Sequence, residues 1–246
     1  MIEIFGLKEF PIIDFGDDIA EKIIARGQDV IRDGDIIIIA HTIISRAEGA
    51  EITINNITPS PFAFKIAKET GKDPKLVETV LIEAKRIVRM DHKVIITETH
   101  HGIICANSGV DRSNAKPGTY VLLPKNPDKS ANTILEKLKT YLKLSNLAVI
   151  ITDTYGRVLR NGTINFAIGC AGLEPIESYI EKKDLFGYTI KHTTVARADE
   201  LAAASGLIMG QADEATPVII IRGFNFCPGN KAANVLFRKS ETSVFF

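Results

Sequence analysis

A run of apolar residues branched at Cβ, residues 36–44, is the feature of this sequence that most limits its fold. Such residues favour extended strands, and a short run of them is typical of a strand that is buried on both faces. His41 and Thr42 interrupt the run, and no apolar stretch in the chain approaches the roughly 18 residues of a membrane span. We therefore predict a buried strand over residues 36–44 and no transmembrane segment.

The balance of charges describes a globular chain without a basic surface. Its 246 residues are 45% hydrophobic and 24% charged, and Lys plus Arg equal Asp plus Glu at 30 each. With no net charge there is no general field to attract nucleic acid or an anionic membrane, so any recognition of phosphate has to be local. We predict one unit over residues 1–246, or two intimately packed subdomains, with neither nucleic acid nor a membrane as a partner.

The cysteines indicate the compartment. Cys105, Cys170 and Cys227 are scattered, odd in number and without the Cys-x-x-Cys spacing of zinc sites. This argues against a disulfide framework and a structural zinc site, so we expect a reducing, cytoplasmic location.

Periodicity and turn residues divide the rest of the chain into helices and strands. Helices are predicted at residues 17–25, 61–70, 74–90, 128–142 and 198–209. Further strands are predicted at residues 2–5, 94–99, 103–106, 120–123, 147–152, 163–168 and 218–222. Hairpin-like pairs lie between the helices, which predicts an α+β fold with mixed, largely antiparallel sheets and packed helices. Because GxxxxGK[ST], GxG, HExxH and GxSxG do not occur, we predict neither a P-loop nor a Rossmann fold.

Polar residues follow several apolar strands, where a rigid scaffold presents side chains to a ligand. Asp111 and Asn114 offer a carboxylate and an amide; the alternative is a turn in which they bond only their own backbone. Arg46, after the isoleucine run, can reach a phosphate, or it can form an ordinary surface pair with Glu48.

A further polar segment follows the predicted helix at residues 198–209. Gly210 is predicted to end this helix, and Gln211, Asp213 and Glu214 offer oxygen ligands beyond it. The alternative is a polar loop that leads into the next strand.

A strand end at residues 151–157 carries the residues best suited to a metal. Asp153 ends a buried strand beside the hydroxyl of Thr154, which suits a hard divalent cation. Arg157 and Arg160 follow and can bind phosphate or carboxylate as bidentate forks. The alternative is a capped turn with both arginines in water, and these residues by themselves leave the two interpretations equal.

Taken together, these clusters resemble one family, the coenzyme F420-0 γ-glutamyl ligases. The matching stretches occur in the family's order over nearly the whole chain, which is more specific than a single motif. They are Phe10-Pro11-Ile12-Ile13, residues 42–49 (TIISRAEG), residues 107–114 (NSGVDRSN), residues 151–157 (ITDTYGR) and Met209-Gly210-Gln211.

The resemblance implies an enzyme that uses GTP to join L-glutamate, through an amide, to the carboxylate of the lactyl-phosphate tail of F420-0. A second, γ-linked glutamate is then added. The implied route is an acyl phosphate that the glutamate amine attacks. The resemblance also implies two divalent ions, Mg²⁺ or Mn²⁺, a monovalent cation such as K⁺, and an intertwined homodimer. Two alternatives are a ligase of the same architecture that acts on another acceptor such as folate, and a homologue that binds GTP and metal without turnover.

The resemblance carries roles to individual positions. Asp111 and Asp153 match the family's carboxylates on one metal ion, and Thr154 and Gln211 match positions that serve the second. The expected nucleotide contacts are Phe10, Pro11, Ile12, Ile13 and Asn114, with His41, Thr42, Arg46 and Gly210 beside them. Arg157 and Arg160 are our own candidates for the acceptor's phosphodiester or the glutamate carboxylates.

Two features depart from the family. Arg46 stands where the family often has Lys; the charge is kept, but a planar fork and a compact ammonium are not equivalent on a phosphate. The acidic pattern that often precedes the family's final Phe is weak in residues 241–246, ETSVFF. We expect the first departure to affect phosphate binding and the second to affect the choice of acceptor.

Overall fold

The structure is a computed structural model that describes residues 1–91 and 93–238, so the weak acidic pattern at 241–246 lies outside the described residues. The helices are α1 (Ile19–Gly27), α2 (His41–Ala47), α3 (Pro61–Thr70), α4 (Pro74–Glu83), α5 (Pro127–Leu142) and α6 (Arg197–Met209). The first strands are β1 (Glu3–Gly6), β2 (Ile36–Ala40), β3 (Glu51–Thr53), β4 (Ala84–Asp91), β5 (Val94–Thr99) and β6 (Ile104–Ala106). The remaining strands are β7 (Thr119–Val121), β8 (Ala148–Arg157), β9 (Arg160–Ala171), β10 (Glu177–Ser178), β11 (Thr194–Val195) and β12 (Val218–Arg222).

The central sheet has the strand order β1-β12-β2-β8-β9. The β2–β8 pair is parallel, and the other pairs of this sheet are antiparallel. The parallel pair ends with Ala40 beside Thr152, where the chain turns from β2 into α2 while β8 continues to Arg157 in its pairing with β9. The residues that follow this pair, from 41 and from 153, are therefore brought together.

Both faces of the central sheet are buried, as the isoleucine run predicts. Ile37 and Ile39 pack in a core with α1, α2 and α5, whereas Ile36 and Ile38 pack on the other face with α6. Side chains of a strand alternate between its two faces, so a strand that is covered on both sides has to be apolar throughout.

A third core lies away from this sheet. It is built by α3, α4, β5 and β7, with Ile66, Val77 and Ile95 almost completely buried. The smaller sheets are β4-β5-β6, β3-β7 and β10-β11, and their pairs are antiparallel. The predicted α+β class with largely antiparallel sheets is confirmed. Within the described residues no helix is long and apolar enough to cross a membrane.

The prediction of one strand over residues 36–44 is wrong in its second half. The strand ends at Ala40, and α2 begins at His41. On one side the antiparallel ladder stops, since Pro217 precedes β12 and accepts the last bond from the Ala40 N–H; on the other side Ala40 is still paired with Thr152 of β8. As residues of α2, Ile43 and Ile44 are buried in the core beside α1 and α5. Tertiary packing therefore overrides their strand propensity.

The predicted helix over residues 74–90 is also too long. Asp73 caps α4 as expected, but the helix stops at Glu83 and residues Ala84–Asp91 form β4. There the chain pairs with β5, and Arg86 and Lys85 bond to Glu98 of that strand at 2.6 and 2.9 Å. The helical spacing of apolar residues continues past Glu83 by coincidence. Ile87 and Val88, which extend that spacing, belong to a strand whose pairing with β5 has two irregularities in its register.

Candidate functional site

A cleft with a volume of about 2150 Å³ lies where β2 ends beside β8. Its walls come from the start of α2, the ends of β8 and β9, the loop after β6, strand β4 and the segment after α6. Almost every site residue predicted from the sequence lines it. These are Phe10, Pro11, Ile12, Ile13, His41, Thr42, Arg46, Asp111, Asn114, Asp153, Thr154, Arg157, Gly210 and Gln211.

Asp153 is held by its neighbours at the centre of the cleft. Its Oδ1 lies 3.3 Å from Nε2 of His41, and it accepts a hydrogen bond from the backbone N–H of Thr154 at 2.6 Å. The other ring nitrogen of His41 lies 3.3 Å from Oγ of Ser45. An imidazole that donates from Nε2 to the carboxylate accepts at Nδ1 from the Ser45 hydroxyl, so a neutral ring satisfies both contacts.

Thr154 points to the opposite face of the strand from Asp153, because successive side chains alternate. Its hydroxyl donates to Oδ1 of Asn165 at 3.0 Å and lies 3.1 Å from Oε1 of Gln211. Gln211 in turn donates from Nε2 to Oδ1 of Asn165 at 3.2 Å. The stretch of β8 beyond Thr152 therefore presents a carboxylate on one side and a cluster of neutral oxygens on the other.

Asp111 forms a local turn, as the alternative interpretation of this segment predicts, and it also lines the cleft. Its carboxylate accepts from the backbone N–H and the hydroxyl of Ser113, both at 2.7 Å. Asn114 adopts a left-handed backbone conformation with φ 51°, and its carbonyl accepts a hydrogen bond from Nη2 of Arg46. The loop is thus joined to α2 across the cleft, and Asn114 bonds beyond its own backbone.

Arg46 does not form the surface pair with Glu48 that the sequence left open. Its Nε lies 3.6 Å from Oε1 of Glu51, and both side chains are mostly buried. Glu48 instead accepts from the hydroxyl of Ser130. Anchored by Glu51 and by the Asn114 carbonyl, the guanidinium of Arg46 is directed along the wall of the cleft.

The N-terminal segment forms part of the rim. Phe10 and Ile13 are core side chains, whereas Ile12 is 79% exposed. Asp14 and Lys116 bond at 2.5 Å and link this segment to the loop that carries Asp111. The bond to Asp14 raises the pKa of Lys116, which keeps this amine charged.

The two arginines of the β8–β9 hairpin differ in position. Arg157 lines the cleft, where its Nη2 donates to the carbonyl of Asn161 at 2.7 Å and its buried Nε has no hydrogen-bond partner among the described residues. Arg160 is exposed, and within the described part of the chain it is the predicted site residue that the cleft lining does not include.

Sequence reasoning missed several cleft residues. Tyr155, Asn165 and Asp199 line the cleft, and so do Arg86 and Arg89 of β4. Asn165 and Asp199 stand outside every motif, and the arginines were assigned to a helix. Tyr155 lay within a matched stretch, but nothing in the pattern separated it from a packing residue. The signal available for Asp199 was an acidic residue in the first turn of a predicted helix, and that is common at any helix start.

Burial raises the pKa of three side chains that line the cleft. Desolvation raises the pKa of Asp199, and a hydrogen bond from the Ala167 N–H at 3.0 Å partly opposes this shift. Burial and the charge of Asp153 raise the pKa of Tyr155 well above its usual range. Burial likewise raises the pKa of Cys105 to about 12, so its thiol is protonated at neutral pH and is no nucleophile.

The donor set suits a hard divalent ion that is shared with a phosphate. Mg²⁺ is usually held by one or two carboxylates together with phosphate oxygens and water. Asp111 and Asp153 supply two carboxylates, and Thr154, Asn165 and Gln211 supply hydroxyl and amide oxygens within 3.0 to 3.2 Å of one another's polar atoms. Among residues 1–91 and 93–238 no three His, Cys, Asp or Glu side chains form a metal-binding group. Such a site therefore depends on mixed donors.

Comparisons with known proteins agree over nearly the whole chain. The family described as F420-0:Gamma-glutamyl ligase matches residues 8–223. The coenzyme F420:L-glutamate ligase of Methanothermobacter thermautotrophicus is 46% identical over 250 residues, which cover 99% of this chain and 98% of that protein. The protein of the same name from Methanocaldococcus jannaschii is 47% identical over 245 residues, covering 99% and 96%. That from Archaeoglobus fulgidus is 35% identical over 243 residues, covering 99% and 96%.

Proposed function

The chain belongs to the F420-0:γ-glutamyl ligase family and is an amide-forming ligase, and we propose that it joins L-glutamate to F420-0 at the expense of GTP. The family predicted from the motif stretches is thereby confirmed. The observation that carries the GTP proposal is the meeting of Asp111, Asp153 and the Thr154–Gln211 oxygens in one cleft beside the guanidinium of Arg46. Carboxylates and neutral oxygens suit a metal, and an arginine suits its phosphates.

The proposed reaction has two steps. A carboxylate oxygen of F420-0 attacks the γ-phosphorus of GTP, the bond to the bridging β,γ oxygen breaks, and GDP leaves. The amine of glutamate then attacks the carbonyl carbon of the acyl phosphate, inorganic phosphate leaves, and the amine loses a proton as the amide forms. A bound divalent ion would neutralise charge on the phosphates in the first step.

The residues of this chain have separate tasks in the proposal. Asp111 and Asp153 would hold one divalent ion, and Thr154 and Gln211 would serve a second. His41 orients the Asp153 carboxylate, because its ring lies 3.3 Å away and is almost completely buried. Arg46 binds a phosphate oxygen of GTP. Each task is one of positioning or charge neutralisation, which is what phosphoryl transfer mainly requires.

The acceptor's anionic groups are assigned to the hairpin side of the cleft. Arg157 lines the cleft and has an Nε free of hydrogen bonds to the described residues, so it is the candidate for the phosphodiester or for a glutamate carboxylate. Arg160 does not line the cleft, so Arg157 is the stronger candidate for binding the acceptor's anionic groups.

We infer that the protein acts as a homodimer, as the resemblance implies. The hairpin that closes with β10 and β11 carries Leu185 and Phe186 at 99% and 96% exposure. Asp184 accepts hydrogen bonds from the N–H groups of Phe186 and Tyr188, both at 2.9 Å, which supports an ordered turn. An ordered apolar tip of this kind is suited to burial against a second subunit. Light scattering of Leu185→Asp/Phe186→Asp tests this, and a wild-type monomer would contradict it.

The function is tested by mass spectrometry together with GDP release. The protein is incubated with GTP, L-glutamate and Mg²⁺ or Mn²⁺, in K⁺ or Na⁺ buffer, with F420-0 or a reduced folate as the acceptor. We expect F420-0 to gain the mass of one and then two glutamate residues, with one GDP for each, and to do so faster in K⁺. A gain on folate alone would replace the acceptor, and GTP binding without any gain would favour a homologue without turnover.

A further inference from the structure

Asn165 is a buried polar residue that none of the sequence motifs contains. It lies in β9 opposite Thr154 of β8, and only 2% of its surface is exposed. A buried amide needs hydrogen-bond partners, because an unsatisfied one costs about 1 to 3 kcal/mol. The hydrogen-bond partners of Asn165 therefore indicate its structural role.

The side chain of Asn165 joins two parts of the structure that are distant in sequence. Its Oδ1 accepts from Thr154 Oγ1 at 3.0 Å and from Gln211 Nε2 at 3.2 Å, and its Nδ2 lies 3.6 Å from Sδ of Met209. Gly206 of α6 faces the same amide, and a Cβ added at Gly206 would lie 3.4 Å from it. Asn165 is thus packed between the end of β8 and the last turn of α6.

The segment held by this contact is the loop of residues 210–216, which follows α6 and lines the cleft. Residues 211–215 are exposed and without regular structure. Glu214 forms its hydrogen bonds inside the loop, to the N–H of Ala212 and, through its carbonyl, to the hydroxyl of Thr216. Gln211 reaches the central sheet through Asn165 and Thr154, and at the other end of the loop the side chain of Thr216 lies against Gly6 of β1.

We propose that Asn165 is a positioning residue that anchors Gln211, and with it the loop 210–216, to the end of β8. The anchor keeps the Gln211 and Thr154 oxygens together at the edge of the cleft. Its effect on nucleotide and metal affinity rests on the function proposed above, whereas its effect on the order of the loop does not.

The first experiment measures hydrogen exchange in the full chain without added ligands. In Asn165→Leu, a change of similar volume that removes every hydrogen bond of the amide, we expect the hydrogen-bonded loop amides of Gly210 and Ala212 to exchange about tenfold faster or more. Two neutral hydrogen bonds are lost, and each contributes a factor of roughly two to ten. Asn165→Asp keeps an acceptor for Thr154 and Gln211 and should retain most of the protection. Asn132→Leu, on the exposed side of α5, is the matched control and should match wild type.

A second variant keeps the test decisive if Asn165→Leu does not fold. Gln211→Leu removes the same contact from its exposed side and should accelerate exchange over the same residues. Adding it to Asn165→Leu should cause no further increase, because both changes break one contact. Protection equal to wild type in either folded variant would overturn the anchor.

The second experiment measures binding and turnover. Mn²⁺ affinity by electron paramagnetic resonance and the KM for GTP should weaken about tenfold in Asn165→Leu, with a smaller change in kcat and with recovery in Asn165→Asp. A general loss of packing would lower kcat and the melting temperature without this selective change in KM. A mobile loop with unchanged Mn²⁺ and GTP affinity would overturn the positioning role. If wild type does not use GTP, the proposed function fails, and the exchange experiment still decides the anchor.

Discussion

The ring of His41 and the carboxylate of Asp153 face each other across the parallel strand pair, with Nε2 and Oδ1 3.3 Å apart. Their contact follows from the register of β2 and β8. Ala40 and Thr152 are the last residues of this parallel pair, and His41 and Asp153 directly follow them. A histidine that holds a metal-binding carboxylate typically changes metal affinity by about 10- to 100-fold when it is removed.

His41→Phe should therefore weaken Mn²⁺ binding about 10- to 100-fold while the chain stays folded, because the ring is replaced by one of similar size without its N–H. Calorimetric titration with Mn²⁺ measures the affinity, and circular dichroism reports the fold. Ser45→Ala removes the contact at the other ring nitrogen and should have a smaller effect. Unchanged affinity in a folded His41→Phe protein would show that the ring does not support the carboxylate.

Asp153→Asn should lower metal-dependent turnover by at least about 100-fold, more than loss of a supporting residue, because a neutral amide replaces the carboxylate proposed to hold the metal. The measurement is kcat over a range of Mn²⁺ concentrations. Thr154→Ser keeps the neighbouring hydroxyl and serves as the control. Turnover near that of wild type would remove Asp153 from the metal site.

Arg46→Lys should raise the KM for GTP about tenfold, since the planar fork is lost and with it a charge-assisted hydrogen bond worth about 1.5 kcal/mol. Steady-state kinetics with varied GTP provide the measurement. Glu51→Gln removes the charge beside Arg46 but leaves the guanidinium in place, so it should have a smaller effect. If Arg46→Lys leaves the KM and the GTP requirement unchanged, Arg46 is not a phosphate contact.

Arg222→Met should lower the free energy of unfolding by about 3 to 5 kcal/mol, because it leaves a buried charge unpaired. Asp35 is fully buried, and its two oxygens accept from Nε and Nη2 of Arg222 at 2.8 and 2.7 Å. Denaturant unfolding measures the loss. The double variant Asp35→Asn/Arg222→Met should recover part of it, and a double variant that is less stable than Arg222→Met would contradict the explanation.

Asp33 should give a stability difference that depends on pH. Backbone N–H bonds from Asn146 and Ser145, at 2.7 and 2.8 Å, lower its pKa in the folded state. A carboxyl with a lowered pKa stabilises the fold above its unfolded pKa of about 4, and this contribution is lost as pH falls through the folded pKa. Asp33→Asn should therefore melt below wild type at pH 7, and the difference should shrink as the pH falls below about 4 and through the lowered pKa of the folded state. Asp29→Asn, at a nearby exposed position, is the control. A difference that persists at low pH would argue against the linkage.

Local chemistry predicted both ends of α3 and the start of α4. Helix α3 covers the predicted residues because Ser60 caps its start through the Ala63 N–H and Gly71 ends it in a left-handed conformation. Helix α4 starts where the Asp73-Pro74 pair indicates. These signals involve residues within one turn of each other, so the sequence contains them in full.

Strand ends and strand partners were predicted less well. Strand β2 stops at Ala40, where its antiparallel partner β12 begins and the chain turns into α2, although β8 continues to Arg157. Strand β4 forms because Glu98 and the rest of β5 lie alongside it. The second error also hid Arg86 and Arg89 from the site, since both were assigned to a helix. A strand is stabilised by residues far away in the chain, so its extent is not a local property.

The sequence by itself determined the family, the α+β class, the buried isoleucine strand and the motif stretches whose residues line the cleft. It did so because motif order, apolar patterning and capping are properties of neighbouring residues. The tertiary structure alone decided that His41 supports Asp153, that Arg46 pairs with Glu51 rather than Glu48, and that Asn165 joins Thr154 to Gln211. These contacts depend on strand register and on the packing of α6 against the sheet, which bring together residues that are far apart in the chain.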